Sequence, residues 1–174
     1  LGDTYTQIAF EKAGIIKPGT AVITAVKQEE AQLEIKNKAK EMKAPLYLLG
    51  KEFSVQNHRS AKLGESFTVT TIFNEIHDIE IEMAGKHQTE NAALAVMAAN
   101  VLNKLCSFLI EEDHIRTGLQ QAYWPGRFEA VSTEPMIIID GAHNEEGITV
   151  LVNELKHRFK DKRITIMFTA LADK

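Results

Sequence analysis

Two short apolar runs on either side of an amphipathic segment most strongly constrain the fold of this chain. The runs cover residues 21–26 and 46–49. Between them, apolar side chains recur at helical spacing, at Ala31, Ile35, Ala39 and Met42. Strands that are buried on both faces are apolar throughout, so the pattern predicts strand, helix, strand. Such a unit forms a right-handed parallel crossover, and the sequence therefore predicts an α/β fold.

The pattern changes further along the chain. Asp3 or Thr4 is expected to cap a first helix that Gly14 ends. Residues 67–73 and 79–83 alternate apolar and polar side chains, which predicts an antiparallel hairpin with one solvent-exposed face. A nearly all-apolar segment, residues 89–105, predicts a deeply buried helix. Another amphipathic helix carries Ile115, Leu119 and Ala122, and Trp124-Pro125-Gly126 ends it.

A second crossover is predicted after this turn. Residues 136–139 form an apolar strand, residues 148–159 carry a helical stripe, and residues 164–168 form the next strand. We expect a domain boundary at residues 124–127. Two or three strands are too few for a stable α/β layer, and the chain opens on Leu1 and stops at Lys174 after an apolar run. These features predict a piece of a longer protein.

Composition excludes several classes of function. The 174 residues carry a net charge of −4, which excludes the broad basic face that binds a phosphate backbone non-specifically. No apolar stretch reaches the roughly 20 residues that a bilayer requires. The single cysteine, Cys106, lies in an apolar helical run and cannot form an internal disulfide. A reduced, cytoplasmic setting is therefore expected.

Asp140 directly follows the predicted strand at residues 136–139. Ligands of open parallel sheets bind in the loops at the carboxyl ends of strands. A carboxylate there can accept hydrogen bonds from both ribose hydroxyls of a nucleotide. Asp140 or Asn144 could equally cap the next helix, and position alone leaves both roles open. His143 lies in the same loop, where a histidine is more often a surface residue than a catalytic one.

Three other residues have similar alternatives. Arg127 follows the turn at the predicted boundary, where its guanidinium suits phosphate, although a surface arginine is the default. Asn91 could bridge backbone groups or present a donor and an acceptor to a purine edge. Lys12 and Glu11 are helix neighbours that do not face each other, so an exposed pair is the default. No Gly-x-x-x-x-Gly-Lys-[Ser/Thr] phosphate loop occurs in the sequence.

A series of ordered motifs resembles the folylpolyglutamate synthases and dihydrofolate synthases of the Mur-ligase superfamily. The first motif spans residues 1–19 and contains Phe10-Glu11-Lys12-Ala13-Gly14-Ile15. The others are His87-Gln88-x-x-Asn91-Ala92-Ala93, Trp124-Pro125-Gly126-Arg127-Phe128-Glu129, Asp140-Gly141-Ala142-His143-Asn144-x-x-Gly147 and Ala172-Asp173-Lys174. Together they cover nearly the whole chain.

The resemblance implies a domain organisation and an activity. Residues 1–125 would be the C-terminal part of a P-loop ATPase-type central domain, and residues 126–174 the beginning of a Rossmann-like domain. The family uses ATP and Mg²⁺ to activate a folate or dihydropteroate carboxylate as an acyl phosphate, which the amino group of L-glutamate then attacks. The resemblance also implies a monomeric complete enzyme with no nucleic-acid or membrane partner.

The same resemblance assigns roles to six residues. Asn91 and Arg127 match residues that contact ATP, and Asp140 matches the ribose-binding aspartate. Lys12 matches a lysine that becomes carbamylated and supports the magnesium and acyl-phosphate site. His143 and Lys174 match positions near the phosphate and the incoming glutamate. A positive charge around the γ-phosphate is what phosphoryl transfer requires.

The sequence also departs from the family pattern. Glu145 replaces the usual proline, and both residues suit the first turn of a helix. Phe10 stands where a basic residue is common. The P-loop and most of the folate pocket would precede Leu1. Two alternatives therefore stay open: another Mur-type amino-acid ligase of peptidoglycan synthesis, and a non-enzymatic nucleotide-binding module that lacks the P-loop.

Overall fold

The first part of the chain forms the parallel crossover that the sequence predicts. The computed structural model describes residues 2–169, apart from the side chain of Glu146. Its first elements are α1 (Tyr5–Ala13), β1 (Val22–Thr24), α2 (Glu29–Glu41) and β2 (Leu46–Leu48). Thr4 Oγ1 accepts a 3.2 Å hydrogen bond from the Gln7 amide and so caps α1. The strands β1 and β2 pair in parallel, although each is shorter than its apolar run.

An antiparallel sheet of three strands follows. Its strands are β3 (Phe53–Ser60), β4 (Glu65–Thr71) and β5 (Glu75–Ile81), with β4 in the middle. The pairing of β4 with β5 confirms the predicted hairpin. The sequence did not predict β3, because its second half is polar and mostly exposed and carries no apolar alternation.

Two helices cover one face of this sheet. They are α3 (Lys86–Leu105) and α4 (Glu112–Gln120), close to the predicted helices. The main core lies between the sheet and these helices, and its largest fully buried side chains include Phe53, Phe67, Ile76, Ile79 and Met97. Ile23 and Tyr47 of the parallel pair also pack against this core. The helix α3 therefore packs against both sheets.

The last part of the chain differs from the predicted second crossover. It contains β6 (Glu129–Thr133), β7 (Met136–Ile139) and α5 (Glu145–Arg158). The sequence predicted β7 and α5, but not the antiparallel partner β6. The predicted strand at residues 164–168 is wrong, because these described residues form no sheet ladder and Met167 is 97% exposed. The chain is a mixed α/β protein, as predicted.

Two smaller observations concern the helices. Cys106 lies just after the last residue of α3 and is exposed, instead of lying within an apolar helix. Of the helices between residues 2 and 169, none is both long and apolar enough to span a bilayer.

Candidate functional site

A cleft of about 280 Å³ lies where three segments meet: the first turn of α3, the turn after Trp124, and the loop after β7 together with α5. Polar side chains from all three segments line it: His87, Arg127, Asp140, Asn144 and Glu154. Arg127 and Asp140, two of the residues singled out from the sequence, therefore lie in one cleft.

Backbone amides hold the Asp140 carboxylate in this cleft. Asp140 Oδ2 accepts a 2.8 Å hydrogen bond from the Phe128 amide, and Oδ1 accepts one of 2.8 Å from the Ala142 amide. Asn144 is the residue that caps α5, since its Oδ1 accepts a 2.8 Å hydrogen bond from the Gly147 amide. The capping alternative for Asp140 is therefore wrong, and its carboxylate joins the loop to the turn at residues 126–129.

The turn at residues 126–129 contains a residue with an unfavourable backbone conformation, which the surrounding packing and hydrogen bonds stabilise. Phe128 is 5% exposed and has a φ of +50°, a left-handed conformation that is unusual for an aromatic residue. The Gly141 amide donates a 2.7 Å hydrogen bond to Gly126 O, and the Gly126 amide donates one of 2.8 Å to Glu129 Oε2. These bonds fix Arg127, which lies between Gly126 and Phe128, at the wall of the cleft.

His87 is a cleft residue that the sequence reasoning missed. Burial lowers the pKa of its imidazole more than Glu154 and Asp140 raise it, and Arg127 lowers it further. The neutral imidazole can therefore donate one hydrogen bond and accept another near pH 7. The place of His87 at the start of the His87-Gln88-x-x-Asn91 motif is the signal that could have identified it.

The cleft suits part of a nucleotide. Both α3 and α5 begin at it, and helix N-termini favour anions through their free amides and their dipoles. The Arg127 guanidinium lies at the wall of the cleft, where its fork can donate hydrogen bonds to a phosphate. At about 280 Å³ the cleft is slightly smaller than typical ligand pockets of about 300–1,000 Å³, so it has room for only one portion of a nucleotide. A neighbouring cleft of about 370 Å³ shares Arg127 and Phe128.

Asn91 and His143 lie beside the cleft without lining it. Asn91 is exposed one turn along α3 from His87, and its Nδ2 donates a 3.0 Å hydrogen bond to Gln88 Oε1. Residues four apart on a helix share a face, so Asn91 points to the same side as His87. His143 is exposed in the loop after Asp140, with Nδ1 2.9 Å from Gly141 O.

Lys12 lies in a different region from the cleft. It is exposed in the last turn of α1, a helix that packs against α2. A cation is favourable at this end of a helix, so the charge of Lys12 can stabilise α1. Lys174 lies outside the described residues. Among the side chains that the structure describes, no group of three or more from His, Cys, Asp and Glu is arranged to hold a metal ion.

The fold and the cleft define an α/β protein with a polar site at two helix N-termini. No protein-family model matches the chain. The dihydrofolate synthase/folylpolyglutamate synthase of Bacillus subtilis is 42% identical over all 174 residues, and the folylpolyglutamate synthase of Lacticaseibacillus casei is 36% identical over the same span. The chain spans 40% of the length of each of these relatives.

Solved structures show the same similarity. An FPGS–AMPPCP–folate complex superposes on 92% of the chain with a TM-score of 0.88 and 35% identity, and the match covers 39% of that protein. Over its whole length, the chain is thus similar to folylpolyglutamate and dihydrofolate synthases, which confirms the resemblance of its motifs.

Proposed function

We propose that this chain is part of an ATP-dependent ligase that adds glutamate to folate or dihydropteroate. The observation that carries the proposal is the meeting of Arg127 and Asp140 in one cleft at the N-termini of α3 and α5. The names of the homologues support the substrate class, and the complex with AMPPCP and folate supports ATP as the co-substrate.

Asp140 and Arg127 of the cleft and the neighbouring Asn91 each have a chemical role in this proposal. The Asp140 carboxylate accepts hydrogen bonds from the ribose hydroxyls, because a carboxylate keeps acceptor capacity beyond its two backbone donors. The Arg127 guanidinium donates to phosphate oxygens. Asn91, on the same helix face as His87, offers a donor and an acceptor to the edge of the adenine ring.

The remaining assignments complete the proposed ligase. Mg²⁺, when bound, neutralises the charge of the transferred phosphoryl group, and a carbamylated Lys12 supports that region. His143 and Lys174 are proposed to serve the glutamate side, where glutamate attacks an acyl phosphate. We assign residues 1–125 to a P-loop ATPase-type central domain and residues 126–174 to a Rossmann-like domain.

The direct test is a coupled assay of ADP release by the complete gene product. We expect release that requires a folate or dihydropteroate together with glutamate. Activity only with a peptidoglycan precursor and its amino acid would favour the other Mur-type ligases. Nucleotide binding without any substrate-dependent ADP release would favour the non-enzymatic module.

A further inference from the structure

Arg158, the last residue of α5, lies beneath the cleft with only 1% of its side chain exposed. Its Nε donates a 2.9 Å hydrogen bond to Glu154 Oε2, and its Nη2 pairs with Glu65 Oε1. Its Nη1 donates to the backbone carbonyls of Ala61 and Gly64. One guanidinium therefore connects α5 to β4 and to the turn that precedes β4.

The groups that Arg158 contacts are joined to all three walls of the cleft. Glu154 lines the cleft and accepts a hydrogen bond from the Lys86 amide at 3.3 Å. Glu65 Oε1 accepts a 2.6 Å hydrogen bond from the Gly85 amide, directly before α3. The Arg158 guanidinium carbon lies 5.8 Å from the centre of the Phe128 ring, within the range of a cation–π contact.

The apolar packing of α5 is weaker than that of α3. The stripe on α5 that consists of Ile148, Leu151, Val152 and Leu155 is only half-buried, whereas Val96 and Met97 of α3 are fully buried. A half-buried stripe constrains helix rotation and translation less than a close-packed core does. The polar contacts of Arg158 are therefore well placed to fix the position of α5.

We propose that Arg158 is a positioning residue for the cleft. Its contacts hold α5 and the turn at residues 126–129 in a fixed position relative to the first turn of α3. The part of this inference that concerns nucleotide affinity rests on the proposed function. Arginine suits the task because its planar fork reaches several acceptors at once, whereas a lysine ammonium is a single compact charge. Loss of the fork shifts Glu154 and Phe128, and with them the two walls that carry His87 and Asp140.

The test compares Arg158→Lys with Arg116→Lys in the complete gene product. Arg116 is a matched control on α4, because its Nε also bonds to a glutamate four residues earlier, Glu112, at 2.8 Å. Its terminal nitrogens also donate to two backbone carbonyls, those of His77 and Asp78. Arg116 does not line the cleft. Both variants are measured below their melting temperatures.

Two quantities are measured: the Kd for ADP by calorimetry, and the pKa of His87 by NMR titration of its imidazole signals. We expect Arg158→Lys to weaken ADP binding by about tenfold or more, since small misplacements of binding groups have large effects. Arg116→Lys stays within about twofold of wild type, as surface changes usually do. The pKa of His87, which depends on burial and on Glu154, Asp140, Arg127 and Glu90, changes only in Arg158→Lys.

The two readouts separate the inference from the proposed function. Absence of ADP binding by the wild-type protein would contradict the nucleotide site, while the titration of His87 would still decide the role of Arg158. A wild-type pKa of His87 in folded Arg158→Lys overturns the inference, whatever the affinity for ADP. If Arg158→Lys does not fold, Glu65→Gln replaces it, because it removes the charge that Arg158 pairs with and keeps the side-chain volume.

Discussion

The Phe128 amide donates a 2.8 Å hydrogen bond to Asp140 Oδ2, and the two residues are twelve positions apart in the chain. This bond, together with that from the Ala142 amide, fixes both oxygens of the carboxylate. A carboxylate has about four acceptor positions, so two remain for a ligand after these bonds are formed. Asp140 is therefore both oriented by the backbone and able to bind hydroxyl groups.

Lys12 gives the first prediction. If a carbamate of Lys12 supports the phosphoryl-transfer site, Lys12→Ala and Lys12→Arg should each lower kcat by about a hundredfold or more in the complete gene product. Arginine fails because its guanidinium stays protonated and cannot react with carbon dioxide. The assay uses saturating ATP, magnesium and bicarbonate.

The matched control for this prediction is Lys40→Arg, since Lys40 is an exposed lysine in the last turn of the neighbouring helix α2. This variant should keep the wild-type kcat. Near-wild-type turnover in Lys12→Arg would mean that Lys12 is only a structural cation at the end of α1.

Gly85 gives a prediction about both stability and the cleft. Its φ is +116°, and a Cβ atom there would lie 2.6 Å from Cε1 of His87. Gly85→Ala should therefore lower the free energy of unfolding by about 1–3 kcal/mol and weaken ADP binding. Gly118→Ala on α4 is the control, because a Cβ there meets nothing within 4 Å and alanine favours a helix. Urea denaturation that shows equal stability for Gly85→Ala and wild type would contradict this reading.

Glu65 makes the fold sensitive to acid. Burial raises the pKa of its carboxyl, but hydrogen bonds from the Gly85 amide, His58 and Ser60 and the charge of Arg158 together hold it below its ordinary value of 4.5. The folded state therefore binds fewer protons than the unfolded state. The stabilisation is present above about pH 4.5 and is lost as the pH falls through the lower folded pKa.

The loss of this stabilisation at low pH is checked by urea denaturation of wild type and Glu65→Gln between about pH 6 and about pH 3.5. The stability difference between them should shrink as the pH falls, because only the wild type loses the charge. Glu80→Gln, a change of an exposed glutamate on β5, should keep the wild-type pH profile. A Glu65→Gln difference that is constant with pH would exclude the proposed linkage.

Local periodicity predicted the elements whose packing is local in sequence. The apolar runs and helical stripes of residues 21–49 gave the parallel pair with α2, and the alternation around Phe67 and Ile79 gave the hairpin. The strands β3 and β6 were missed, and residues 164–168 were wrongly predicted as a strand. In these cases the outcome depends on which segment supplies the hydrogen-bonding partner, and a local pattern does not contain that information.

The site was predicted in part for a similar reason. Asp140 could be identified because it follows a predicted strand, and Arg127 because it follows a turn. Both residues also lie in motifs that resemble the family. Glu154 and Arg158 did not, since each is one charged residue on an amphipathic helix and only tertiary packing shows that Arg158 is buried. The left-handed backbone of Phe128 has no sequence signal either.

The absence of a Gly-Lys-[Ser/Thr] phosphate loop leads to a further prediction. The 174-residue chain alone should show no glutamate-dependent ADP release above that of a heat-denatured control. Phosphoryl transfer depends on positioning and neutralising the γ-phosphate, for which this sequence has no cradle. Measurable glutamate-dependent release by the purified chain would contradict this prediction.

The most direct test of the central claim, that the cleft holds the nucleoside part of ATP, is a thermodynamic cycle on Asp140. It compares the Kd values of ADP and 2′,3′-dideoxy-ADP for the wild-type complete gene product and for Asp140→Ala. We predict that the wild type loses roughly ten- to a hundredfold in affinity when the ribose hydroxyls are removed, the value of charged hydrogen bonds. Asp140→Ala should bind both nucleotides equally weakly. Equal binding of both nucleotides by the wild type, or a wild-type preference for ADP in Asp140→Ala, would contradict the account.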